Sequence, residues 1–292
     1  MGNPFEDKAE LGSSAPGVAP PAYTPFDTAA SSSSSSATQG PFQMSPSTTP
    51  YQPFPSSMSA YYQLKITRTF HLGDSNNHKL FAVSSWSGTS SKSPGIPCII
   101  LHNGPNPEDP VLAVCSDEKN WSPLANYPRT LHSSMILPSL EAYPSGKGKE
   151  EKHATEDLRP VIFNGSHVDS FRFSIEVPQP NNEAGTSRLL REDFEWRRTS
   201  KDGLNGYNNG FELFRLKSDI RPEKTSSDVG GSEPESEALA AILFKGSLSV
   251  NKPFYFEFKG RGLTGELGDR WSVMSMMTGI RIWFLFFAHR AK

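Results

Sequence analysis

Cysteine is scarce: 292 residues contain only Cys98 and Cys115, and each lies in an apolar run, PCIIL and VLAVC. Two such residues make no disulfide framework, and they read as buried free thiols of a reducing compartment. An excess of basic charge is also missing, with 29 Lys and Arg against 31 Asp and Glu and a formal charge of −2. General nucleic-acid binding relies on many cations that neutralise phosphates, so no nucleic-acid partner is expected. The first residues hold no basic start followed by an apolar run of about 7–15 residues. No secretory leader is read there, and the expected location is cytoplasmic.

Catalytic signatures are lacking as well. The seven histidines (His71, His78, His102, His132, His153, His167 and His289) are scattered, with no H-x-x-x-H and no Cys/His pairing. A structural zinc site wants four N or S ligands at recognisable spacing, and no such set stands out. No G-x-S-x-G elbow occurs. Gly260-Arg-Gly262-Leu-Thr-Gly265 spells G-x-G-x-x-G, but a dinucleotide fingerprint also needs an acid about 20 residues on, closing a second strand. That position falls at Leu285 in an apolar stretch, so the glycines read as a turn between a last strand and a helix. No enzymatic activity, metal or cofactor is expected.

What the chain has in plenty is proline, glycine and serine. It carries 25 Pro and 23 Gly with a hydrophobic content of 35%, a mixture expected of a folded part joined to a disordered one. Residues 1–58 hold 12 Ser and 10 Pro, including Ser31–Ser36, with almost no large aliphatic side chain. Such a segment buries too little surface to offset its ordering entropy, and it reads as a tail. Pro20-Pro21-Ala22-Tyr23 in it is a PPxY sequence, which WW domains take in an aromatic groove because the proline helix is ordered before binding. Asn3-Pro4-Phe5 matches the NPF tripeptide of EH-domain ligands, in which Asn-Pro favours a turn that presents the Phe. WW- and EH-domain proteins are therefore the expected partners of the tail.

The body, residues 59–292, alternates. YQLKITRTF sets Tyr62, Leu64, Ile66 and Phe70 on one side, and Phe171, Phe173, Ile175 and Val177 repeat the pattern, as do Phe254, Phe256 and Phe258. HKLFAVSSW, IPCIILH, VLAVCS, RTLHSSMILP, DFEWRR, FELFRLK and ALAAILFKGS bring the total to about ten strands, separated by Gly, Pro, Asn and Asp clusters. Residues 144–160 and 223–237 are polar and mixed in charge and read as surface loops.

The chain ends WSVMSMMTGIRIWFLFFAHRAK, in which Arg281 is the only charge between Trp271 and Ala288. A helix apolar on all sides needs a low-polarity surrounding everywhere, either bilayer or fold interior. A charge at the middle of a span costs about 2.5–3.5 kcal/mol, and Ser272, Ser275 and Thr278 dilute the apolar character further. Trp271, Met274, Met277, Trp283, Phe284 and Phe287 suit interdigitation with strand phenylalanines, so the preferred reading is a helix at the centre of a β-barrel. A tail anchor over 271–288 is the alternative.

DFEWRR, GFELFRL after a turn, and the terminal WSVMSMMTGIRIWFLFFAHR together resemble the Tubby C-terminal-like superfamily, which includes Tubby proteins, plant LURP-one-related proteins and phospholipid scramblases. The likeness is greatest to uncharacterised fungal members with a Pro/Ser-rich tail. It covers residues 60–292 and implies a mainly β fold: a closed antiparallel barrel of about twelve strands around a central hydrophobic C-terminal helix, with Arg281 finding a polar partner inside or at the mouth. The Tubby headgroup motif has no counterpart here, and Glu266 and Asp269 are too few oxygen ligands for the calcium segment of scramblases.

The resemblance implies a non-catalytic module that binds phospholipid or protein, peripheral on the cytosolic face of membranes. Its candidate lipid contacts are the basic residues of one hairpin, Arg197, Arg198, Lys201, Arg215 and Lys217, with Lys259 and Arg261 beside the last strand. Glu192, Asp193, Glu195, Asp202 and Glu212 lie among them. The other readings are a tail-anchored or scramblase-like lipid transporter and a protein scaffold without lipid binding.

Overall fold

A computed structural model describes residues 43–62, 69–85, 99–117, 131–140, 153–163, 167–179, 188–199, 207–216, 237–245 and 252–287. Twelve strands follow one another: β1 (Ser57–Tyr62), β2 (Thr69–Ser75), β3 (His78–Ser85), β4 (Ile99–His102), β5 (Val111–Asp117), β6 (Ser133–Pro138), β7 (His153–Phe163), β8 (His167–Gln179), β9 (Arg188–Thr199), β10 (Tyr207–Arg215), β11 (Ala238–Lys245) and β12 (Phe254–Phe258). A 3-10 turn at Gly260–Leu263 leads to the helix α1 (Gly268–Phe287). Each strand pairs with its chain neighbours, and β1 closes on β12. All ladders are antiparallel, as short connections between sequential strands dictate. Closure leaves no strand edge open along the sheet.

Alternation sets the inner face. Phe171, Phe173, Ile175 and Val177 on β8 and Phe194 and Trp196 on β9 all turn inward, each at most 3% exposed. They meet α1, where Trp271, Met274, Met277, Ile280 and Arg281 are fully buried and Trp283 is nearly so. The helix is apolar on every side because strands surround it on every side. Among the described residues no helix is long and apolar enough to cross a bilayer. Phe284 is half-buried, and the side chain of Phe287 lies outside the described residues.

Arg281 has the polar contact that an arginine in a core requires, its Nε donating to Ser133 Oγ at 2.8 Å. Its guanidinium carbon also lies 5.9 Å from the Phe284 ring centre. Farther back along α1, Trp196 Nε1 donates to Thr278 Oγ1 at 2.9 Å, and the threonine hydroxyl lies 2.8 Å from the Met274 carbonyl. Both polar side chains of this contact are buried and satisfied together.

The glycines before α1 form a turn. Gly260 and Gly265 adopt φ of 45° and 77°, and a Cβ on Gly262 would lie 2.1 Å from the Leu239 carbonyl oxygen. Left-handed backbone and close approach are what glycine permits.

Three boundaries differ from the sequence reading. YQLKITRTF is two strands: Tyr62 ends β1 and pairs with Phe70 of β2, so the alternation continues across a reversal of the chain; Leu64 and Ile66 lie outside the described residues. The expected polar loop over 144–160 contains β7, which starts at His153. Residues 43–54, which the sequence reading put in the tail, are strapped along β3–β5. Met44 makes a parallel bridge with Val111, and Phe54 packs 4.7 Å from Phe81, centre to centre.

Candidate functional site

Among the described residues, Arg215, Lys259 and Arg261 at one end of the barrel hold their charge differently from Arg198 and Lys252 at the other. At the end where α1 begins, cations meet carboxylates. Arg215 is ion-paired with Glu192. Lys259 Nζ lies 2.9 Å from both Glu212 and Glu257, and Arg261 is 3.0 Å from Glu266. Glu192 and Glu212, two of the acids interleaved with the basic residues in the sequence, are thus their partners in space.

The same end carries an ion network, centred on buried Arg270 and Glu156, that sequence reasoning missed. The β7–β8 ladder runs only from Arg159↔Arg172 to Phe163↔His167; past it, Glu156 pairs across to Met135 of β6 and Glu176 to Arg191 of β9. Into this parting comes Arg270 from the first turn of α1. It donates to the Pro138 carbonyl at 2.8 Å, to Glu156 at 3.1 Å and to Glu176 at 3.4 Å. Arg191 closes the set by pairing with both Glu156 and Glu176. Two arginines and two glutamates balance, which is how buried charge is tolerated. Burial alone would raise the Glu176 carboxyl, but its backbone contact, Arg191 and Arg270 together hold it below the usual range. The Glu156 contact dominates in raising Arg191.

On the outer wall, Glu195 is buried between Arg172 at 2.7 Å, Arg197 at 2.8 Å and Ser170 at 2.8 Å. Desolvation pushes its pKa up, yet the hydrogen bonds from Arg197, Arg172 and Ser170 prevail and the carboxyl titrates lower than an ordinary glutamate. Arg197 also lies over Phe214, its guanidinium carbon 4.9 Å from the ring centre.

At the opposite end, where α1 finishes, cations rest on aromatic rings. Arg198 follows Phe194 and Trp196 on the inner-facing side of β9, at its finishing end. Its guanidinium carbon is 5.2 Å from the centre of Phe286. Lys252, just before β12, places Nζ 4.9 Å from the centre of Tyr61. Inside this end Tyr62, Phe70, Phe254 and Trp283 form an aromatic layer, with Phe254 and Trp283 5.0 Å apart, while Tyr61 faces the outer wall. Burial drives the Tyr62 hydroxyl up to about 12.

The hairpin cluster therefore divides. Arg197 and Arg198, adjacent on a strand, point to opposite faces, as alternation requires. Arg215 belongs to the other end. Lys201 and Lys217 lie outside the described residues, as do Asn3, Pro4, Phe5, Pro20, Pro21 and Tyr23. Lys252 was not among the sequence candidates; its signal was a lysine two residues before the alternating phenylalanines of β12. A shallow depression of about 150 Å³ over β6–β7 is lined by His132, Ser133, Ser134, Asp157 and Arg159. Among the described residues no three His, Cys, Asp or Glu side chains gather as a metal site.

Compared with protein-family models, with curated proteins and with solved structures, the chain finds no match.

Proposed function

We propose that the protein is a non-catalytic binding module of the Tubby C-terminal-like kind. Its α1-finishing end rests on anionic phospholipid at the cytosolic face of a membrane. Its Pro/Ser-rich tail recruits WW-domain proteins through Pro20, Pro21 and Tyr23 and EH-domain proteins through Asn3, Pro4 and Phe5. The observation that carries the lipid reading is the placement of Arg198 on Phe286 and of Lys252 on Tyr61. A carboxylate partner would occupy a cation's donors, whereas an aromatic ring supports the cation and leaves those donors for a phosphate. Aromatic rings beside basic groups also suit the membrane–water interface.

The barrel supports a surface role rather than an interior ligand, because α1 fills its axis with side chains that are fully buried. Each basic residue near an anionic surface contributes roughly 1 kcal/mol, so binding through this end is weak, salt-sensitive and strengthened by a second contact such as the tail. The test is co-sedimentation of the full chain with neutral vesicles and with vesicles containing about one-third anionic lipid, at low and high salt. Binding confined to anionic vesicles and lost in salt is expected. Equal pelleting with both vesicles contradicts it, and no pelleting with either leaves the protein-scaffold reading.

A further inference from the structure

Two histidines are buried on the outer wall of the barrel, away from α1. His71 on β2 is 4% exposed and His102 on β4 is 5% exposed. The cover above them is the loop between β4 and β5, residues 103–110. His102 Nδ1 lies 3.1 Å from the Asp109 carbonyl, and its Nε2 lies 2.9 Å from Ser84 Oγ on β3. The ring's Nδ1 donates to the loop carbonyl, and Nε2 shares a second hydrogen bond with the Ser84 hydroxyl. His71 donates to the backbone carbonyl of Pro105.

The loop is a small rigid body. Asn106 N–H donates to Asp109 Oδ2 at 2.8 Å, Asp109 N–H donates to the Asn106 carbonyl at 3.1 Å, and Asn103 N–H reaches the Pro110 carbonyl at 2.7 Å. It is tied to β3 where Ala82 N–H donates to the Gly104 carbonyl at 2.7 Å. The loop in turn holds the segment that leads out of the tail. Asn103 Nδ2 donates to Ser45 Oγ at 3.2 Å, Tyr51 N–H donates to Asn103 Oδ1 at 2.7 Å, and Ser45 and Gln43 exchange backbone hydrogen bonds with Val111.

We propose that His71 and His102 form an acid-sensitive latch: when the two rings take up protons, the 103–110 loop lifts from β2–β4 and releases the 43–54 segment that it holds. The charged groups around the rings are few and oppose one another. Lys79 on β3 faces His71 and disfavours its cation; Glu108 and Asp109 on the loop favour the cation of His102. Burial is the largest influence on both rings and lowers both below the ordinary histidine value. A group with a lowered folded-state pKa contributes its stability above the unfolded value, about 6.5, and loses it as pH falls through the folded value. Acid thereby loosens the root of the tail and leaves the helix-filled core intact.

The test is hydrogen–deuterium exchange of the full chain between about pH 7.5 and pH 5, corrected for intrinsic exchange. Peptides covering 43–54 and 99–112 are expected to lose protection, while α1 keeps its protection. The His71→Asn/His102→Asn double variant, which keeps a neutral donor at each place, is expected to show no such step. Constant protection across the range in the natural protein overturns the latch, as does the same step in the double variant or a fall that includes α1. Should the double variant fail to fold, His102→Asn alone decides: a step undiminished in that variant overturns the proposal.

Discussion

Arg270 and Glu156 meet 3.1 Å apart in the wall of the barrel, one from the opening turn of α1 and the other from β7, and both are almost wholly withdrawn from water. The pair locks the start of the plug helix to the place where β7 and β8 part. Removing one partner strands a charge, at a cost of about 3–5 kcal/mol, whereas replacing both with apolar groups is often neutral. Arg270→Met is therefore expected to destabilise strongly, and Arg270→Met/Glu156→Leu less than the sum of the single changes. Urea unfolding of the four proteins of this cycle measures the coupling.

Glu195 makes the wall sensitive to acid. Its carboxyl is held below the usual range, so the folded state favours the ionised form more than the unfolded chain does. Its contribution is complete above the unfolded value of about 4.3 and disappears as pH falls through the lower folded value. Urea midpoints measured from neutral pH downward are expected to fall through this window, and more shallowly for Glu195→Gln. Parallel curves for the two proteins contradict the assignment.

Trp196 and Thr278 join β9 to α1 by a buried hydrogen bond of 2.9 Å. Thr278→Val keeps the shape and leaves the indole N–H without its acceptor. The expected loss is about 1–3 kcal/mol, read from equilibrium unfolding. A neutral result means that the indole finds another acceptor.

The fold was legible where packing obeys a simple period. Phe171, Phe173, Ile175 and Val177 announce β8, and the all-round apolar face of Trp271–Leu285 announces a helix enclosed by strands. β7 was hidden because Glu156 stands at an inward position where the pattern leads one to expect an apolar residue, and only Arg270, 114 residues away, explains it. The β1–β2 reversal was hidden because Tyr62 and Phe70 keep the alternation on both arms of a turn. The site was less legible than the fold. Adjacent arginines 197 and 198 look like one patch in sequence, yet a strand sends them to opposite faces. The partners of Arg215, Lys259 and Arg261 depend on strand register and on the turn into α1. His71 and His102 lie on different strands, and only the folded loop over them makes them a pair.

The central claim concerns one end of the barrel, and charge reversal there tests it most directly. The Arg198→Glu/Lys252→Glu variant of the full chain, with circular dichroism and unfolding midpoint compared to the natural protein, is titrated with anionic vesicles. The account predicts binding weakened by at least about tenfold, on the order of 1 kcal/mol for each basic residue lost, while Lys259→Gln at the other end has no effect. Undiminished binding by the double variant contradicts it.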